Sequence, residues 1–117
     1  MDEELEQKLV RHWPGWFDIQ GFEHGDGWFE ILWQLFADLQ PLVEGMEGEG
    51  SQPFAVVRVR EERGGLRVYA NDGTEVIWEP IEAARQESFL TCEVCGQPGR
   101  RREDGWIRTR CDGHAGE

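Results

Sequence analysis

Cys92-Glu93-Val94-Cys95 and, after fifteen intervening residues, Cys111-Asp112-Gly113-His114 decide how the end of this 117-residue chain folds. Two ligands separated by two residues can hold one tetrahedral ion from a single turn, and a second such pair completes the shell. The spacing therefore predicts a metal centre of Cys92, Cys95, Cys111 and His114 that clamps the two ends of one hairpin. It uses all three cysteines, so the odd count leaves no thiol over. With four protein ligands no position stays open for a reacting water, and the expected cofactor is a structural zinc ion. Two alternatives stay open here. The thiols could be buried, or form one disulfide with a spare cysteine, and Asp112 or a water could replace His114 near the chain end.

Between the ligand pairs, residues 97–102 and 106–110 read as short strands around the turn Glu103-Asp104-Gly105, a zinc-ribbon-like β-hairpin. It carries Arg100, Arg101, Arg102, Arg108 and Arg110 beside Trp106. Arginine interleaved with an aromatic is the raw material for phosphate contact and base stacking. The same guanidinium groups could instead compensate three thiolates around one Zn2+. Both readings stand at this point.

Working outward, charge divides the chain. The net charge is −12; residues 1–91 hold nineteen acids against seven bases, whereas residues 92–117 hold five of each. The acidity belongs to the body, which should repel nucleic-acid phosphates and attract basic surfaces, unless it serves solubility alone. No run of eighteen apolar residues occurs, so no membrane span is expected. The acidic start Met1-Asp2-Glu3-Glu4 is the opposite of a basic export signal. Thiols paired as ligands then fit a reducing cytoplasm.

The body, residues 1–91, reads as an α+β fold of three helices packed with a short antiparallel hairpin. A first helix over residues 2–11 places Leu5 and Leu9 on one side and ends at Trp13-Pro14-Gly15. A glycine- and aromatic-rich loop follows, with Asp26 as the expected N-cap of a second helix over residues 27–44. At 100° per residue, Trp28, Phe29, Ile31, Leu32, Trp33, Leu35, Phe36, Leu39, Leu42 and Val43 cover a wide apolar arc, opposite Glu30, Gln34, Ala37, Asp38 and Glu44. Either two layers sandwich this helix, or its Phe29 and Trp33 flank forms an open patch for a partner. Pro41 should kink it or restart its last turn. An acidic connector over residues 44–53 leads to strands over 54–61 and 66–70 around Glu62-Arg63-Gly64-Gly65. Alternation sends Val57, Val59, Leu66 and Val68 inward and Arg58, Arg60, Arg67 and Tyr69 outward. Asn71-Asp72-Gly73-Thr74 then caps a third helix running to about residue 88. Residues 92–117 form the metal module, expected to pack with the body as one domain.

Several segments together resemble small uncharacterised proteins of bacteria and their phages. They are Gly25-Asp26-Gly27-Trp28, the hairpin run from Glu62 to Tyr69, Glu82-Ala83-Ala84 with Ser88, Thr91-Cys92-Glu93-Val94-Cys95-Gly96 with Pro98-Gly99-Arg100, and Gly105-Trp106-Ile107-Arg108-Thr109 with Cys111, Asp112, His114 and Ala115. The resemblance spans most of the chain and departs at Arg63, where an aromatic is expected. It implies the Cys92, Cys95, Cys111, His114 site, and makes an anti-host or anti-defence inhibitor a natural role.

Catalysis is not expected. His12, His24, Asp26 and Glu30 could converge as a second metal or acid/base set, but no nucleophile motif, phosphate loop or metal-protease helix accompanies them. The sequence therefore points to a non-enzymatic, zinc-stapled acidic protein that binds a basic protein partner as inhibitor or adaptor. The alternative is a nucleic-acid-binding zinc ribbon acting through Arg100, Arg101, Arg102, Trp106, Arg108 and Arg110. Neither reading fixes an oligomeric state.

Overall fold

The computed structural model describes residues 1–46, 53–71 and 75–116. It is a mixed α+β structure in which three helices and a small sheet enclose one aromatic-rich core, with a second hairpin at the C-terminal end. Helix α1 (Glu3–His12) is capped by Asp2, whose carboxylate accepts from the Glu4 N–H, with acids in its first turn and Arg11 and His12 in its last. Leu9 is its fully buried residue.

The loop after α1 holds a strand the sequence did not announce. Strand β1 (Phe22–Glu23) pairs in parallel with β2 (Val56–Glu62), placing Phe22 opposite Val59. Upstream, the Val56 N–H donates to the Trp16 carbonyl at 2.7 Å and the Asp18 N–H to the Val56 carbonyl at 2.9 Å. Parallel neighbours require a crossover, and helix α2 (Phe29–Met46) supplies it. Strand β2 pairs antiparallel with β3 (Gly65–Ala70), so the expected two-stranded hairpin is two-thirds of a mixed sheet of order β1-β2-β3. Its turn, Arg63-Gly64, has positive φ at both residues (53° and 87°), the backbone handedness that suits a two-residue hairpin.

One inward position is corrected. The pairing slips between Val56 and Arg58, leaving Val57 as the extra residue of a β-bulge. The slip shifts the phase of the strand: Val56 and Val59 are both fully buried, while Val57 is 41% exposed. Val59, Leu66 and Val68 point inward as alternation predicts.

Helix α2 is the centre of the core. Trp28, just before it, and Ile31, Leu32, Leu35, Phe36, Leu39 and Val43 are buried, whereas Glu30, Gln34, Ala37, Asp38 and Glu44 are exposed. On the flank in question Phe29 and Trp33 are half-buried and pack against the core, with Trp33 4.8 Å from the Trp13 ring and 6.0 Å from Phe29. Pro41 lies within the helix, which continues to Met46. The helix also begins later than expected, because Asp26–Trp28 form a separate 3-10 turn. Asp26 is consequently not its N-cap; the carboxylate accepts the Asp2 N–H at 2.6 Å and ties that turn to α1. Helix α3 (Glu75–Ser88) packs on α2 and β3, with Pro80 inside it. Residues 47–52 of the acidic connector and 72–74 of the cap before α3 lie outside the described residues.

Candidate metal centre

After α3 the chain turns at Phe89 and Leu90 and enters a tight knuckle. The Gly96 N–H donates to the Cys92 carbonyl at 2.9 Å and the Cys92 N–H to the Gln97 carbonyl at 2.8 Å, closing a loop that carries Cys92 and Cys95. Strands β4 (Arg100–Arg102) and β5 (Arg108–Arg110) form the following antiparallel hairpin, with Arg101 opposite Thr109. Beyond β5, Cys111 leads into a 3-10 turn over Asp112–His114, and the His114 N–H donates to the Cys111 carbonyl at 3.1 Å. Two turns at the open end of one hairpin thus face each other.

The four predicted ligands meet there. One ligand atom each from Cys92, Cys95, Cys111 and His114 lies within 4.8 Å of every other. Cys95 Sγ is 3.7 Å from Cys111 Sγ, and His114 Nδ1 is 3.7 Å from Cys92 Sγ and 3.2 Å from Cys111 Sγ. Zinc–ligand bonds of about 2.3 Å to sulfur and 2.0–2.1 Å to nitrogen imply tetrahedral edges of about 3.8 Å between sulfurs and about 3.5 Å between sulfur and nitrogen. The three short separations match those edges. A disulfide would bring two sulfurs to about 2.05 Å, and all three cysteines are free thiols. Asp112 is not among the ligands, since its carboxylate pairs with Arg102 at 2.9 Å. Three cysteines and a histidine therefore stand where they can bind one metal ion.

Electrostatics favour a cation at the same point. Burial acts to push the Cys92 thiol up, but backbone N–H groups of Cys111, Cys95 and Val94, with the Cys111 thiol, outweigh it and bring Cys92 down to about 6. Cys111 also falls, as hydrogen bonds from His114 and Cys95 overcome its desolvation. Cys95 moves the other way: the Gln97 N–H acts to lower it, yet desolvation and the neighbouring Cys111 and Cys92 sulfurs together raise it. Three sulfurs this close resist becoming three thiolates unless a positive ion joins them.

The knuckle is seated on the body by Gly25-Asp26-Gly27. The Gly27 N–H donates to the Glu93 carbonyl at 2.7 Å, the Gly25 N–H to Glu93 Oε2 at 2.9 Å, and Trp28 Nε1 to the Thr91 carbonyl at 2.9 Å. A Cβ at Gly27 would collide with the Cys92 carbonyl and lie 2.6 Å from the Gly96 nitrogen, so only glycine lets the two backbones meet. Glu93, between the first two ligands, is the hub: its second oxygen takes Arg110 NH1 at 2.9 Å, and both side chains are mostly buried. On the other side of the hairpin, Thr109 Oγ1 donates to the Gly64 carbonyl and Arg101 Nε to the Arg63 carbonyl at 3.0 Å, while the Arg101 guanidinium lies over the Phe89 ring. Sequence reasoning missed Glu93, Gly25 and Gly27, although the two glycines one residue apart were visible.

Most of the hairpin arginines are occupied internally. Arg102 bonds the Arg110 carbonyl and Asp112, Arg108 bonds the carbonyls of Trp106 and Ala115, and Arg110 bonds Glu93. Arg100 is exposed, and Trp106 is 79% exposed at the hairpin tip. The structure does not gather His12, His24, Asp26 and Glu30 into a second metal group among the described residues. The His12 ring meets Trp13 edge-on at 4.4 Å and lies tilted against Trp33 at 4.6 Å. His24 is buried, with Nδ1 2.8 Å from the Gly25 carbonyl, and desolvation holds it below its ordinary value. Among the described residues no helix is long and apolar enough to cross a membrane. No protein-family model matches the chain, and no curated protein and no solved structure matches it, so the case for this centre rests on its own geometry.

Proposed function

We propose that the chain is a small non-enzymatic protein, stapled by a structural zinc ion in a zinc-ribbon-like hairpin, that binds a basic partner protein through its acidic body as an inhibitor or adaptor. The observation that carries this reading is the division of labour among charges. Arg102, Arg108 and Arg110 of the module are turned onto its own carbonyls and carboxylates, whereas the excess of acids over bases lies in residues 1–91. Acids such as Glu3, Glu4, Glu30, Asp38 and Glu79 stand exposed on three different helices. A surface of this kind offers carboxylates where a basic protein ordinarily meets phosphates, which would suit a phage-borne inhibitor of a host defence as well as an immunity protein. Four protein ligands leave the metal no open position, in keeping with a staple and not a catalyst.

The test is binding of the metal-loaded chain to purified basic proteins at low and high salt, beside a Glu3→Lys/Glu4→Lys/Glu79→Lys variant. Affinity should fall with salt and fall again in the variant. Absence of binding at low salt, with the metal intact, contradicts the reading. The nucleic-acid alternative keeps one supporting observation, the exposed Trp106 at the tip of the hairpin whose other end carries exposed Arg100. It requires salt-sensitive DNA or RNA binding that an Arg100→Ala/Arg101→Ala/Arg102→Ala variant abolishes.

A further inference from the structure

Where the turn between β2 and β3 faces the tip of the metal hairpin, an open hollow of about 450 Å³ is lined by Arg60, Glu61, Glu62, Arg63, Trp106 and Ile107 together with Gly105. Its charges are unevenly matched. Glu61 is occupied by the Gly64 N–H at 2.6 Å, and Glu62 by the Tyr69 hydroxyl at 2.6 Å and by Arg67 at 3.4 Å. Neither Arg60 nor Arg63 has a side-chain hydrogen bond or an ion pair among the described residues, and Arg60 Nε is buried without an acceptor. Nε of Arg85, Arg108 and Arg110 is buried in the same way, but each of those guanidinium groups pairs through a terminal nitrogen, as Arg60 does not among the described residues. The same hollow is lined by Trp106, the most exposed large hydrophobic residue of the described chain. An indole held out of the core next to free guanidinium groups is suited to stacking a base and pairing a phosphate.

We propose that this hollow binds a nucleobase–phosphate unit, the base stacked on Trp106 and the phosphate held by Arg60 and Arg63. Its volume falls within the roughly 300–1,000 Å³ of small-molecule sites. The proposal shares Trp106 with the nucleic-acid alternative but rests on different arginines, which belong to the body and not to the run Arg100 to Arg102. It is independent of the basic-partner reading. The unit could come from a free nucleotide or from single-stranded nucleic acid; the body's negative charge opposes a long polyanion more than a mononucleotide.

The experiment titrates the metal-loaded chain at low salt, by calorimetry, with AMP, GMP, adenosine, inorganic phosphate and a short single-stranded oligonucleotide. AMP or GMP should bind more tightly than adenosine or phosphate alone. Trp106→Ala and the pair Arg60→Gln/Arg63→Gln should each weaken that binding about tenfold. An unchanged metal content and circular dichroism spectrum shows that these variants stay folded, as exposed Trp106 and turn residue Arg63 lead one to expect. If only the oligonucleotide binds, with the same variant losses, the unit is supplied by single strands and the proposal stands. It is overturned if no probe binds, if phosphate binds as well as AMP, or if either variant leaves binding unchanged. Arg100→Ala separates the two arginine sets, since the proposal expects AMP binding to be indifferent to it.

Discussion

The body and the metal segment reach their shapes by opposite means. Every residue of the apolar core, from Leu9 to Ala84, belongs to the body, where α2 packs on α3 and shares one cluster with residues of α1 and the sheet. Within the described part of residues 92–117, only Cys92, Glu93 and Thr109 are buried. A segment with so little apolar surface to bury cannot offset the conformational entropy of ordering its chain. Polar contacts with the body supply part of the difference, and ligand bonds to an ion at the four-residue cluster would supply the rest. The difference teaches that an ion held by the four ligands would act locally, while the body can hold its own fold by burial.

Chelation is the largest test of that contrast. Metal binding in zinc peptides contributes on the order of 10–16 kcal/mol near neutral pH. Removing the ion should abolish amide protection in β4 and β5, followed by hydrogen exchange, while amides of α2 stay protected. Loss of protection everywhere would show that the body also depends on the ion.

Trp28→Ala strikes both regions, because its ring is fully buried and its Nε1 serves the Thr91 carbonyl. The expected loss of stability is about 3–5 kcal/mol, read by denaturant unfolding. Glu93→Ala sharpens the boundary between the regions by removing the acceptor of Arg110 and the Gly25 N–H. Leaving the guanidinium largely buried without its carboxylate, with only the Thr109 carbonyl as acceptor, should destabilise by about 3 kcal/mol, with a matching fall in zinc affinity. Gly27→Ala, which forces the knuckle off its seat, should weaken zinc binding, whereas Gly45→Ala at the far end of α2, whose Cβ meets nothing, should leave it unchanged.

The smallest effect is that of His24. Burial lowers its folded value, more than the bond to the Gly25 carbonyl raises it, so the unfolded chain takes up the proton first as pH falls. Its contribution to stability is therefore complete above the unfolded value near 6.5 and declines below it. His24→Asn, which keeps a donor near Nδ1 but cannot titrate, should flatten the stability of the body as pH falls below about 6.5, as measured by urea unfolding in the presence of zinc. An identical pH slope in both chains would remove His24 from the account.

What could be read from the residues follows the same division. The ligand set was legible because cysteine and histidine at fixed short spacings have few other uses, and α2 because its period runs over five turns. Phe22–Glu23 was not, since two residues between glycines carry no alternation and its partner strand lies past a whole helix. The Val57 bulge was hidden because an uninterrupted valine pair suits either phase. Asp26 looked like a cap from its position before an apolar run, yet its acceptor was claimed by the Asp2 N–H from a distant element. Glu93 passed as a spacer between ligands, and only the tertiary fold brings Gly25 and Arg110 to it.

The most direct test is the metal content of the chain purified under reducing conditions, measured by elemental analysis with parallel titration of accessible thiols. The account predicts one zinc per chain, thiols protected until a chelator is added, and loss of the ion in Cys92→Ser. A folded chain with no stoichiometric metal and three freely reacting thiols would contradict it.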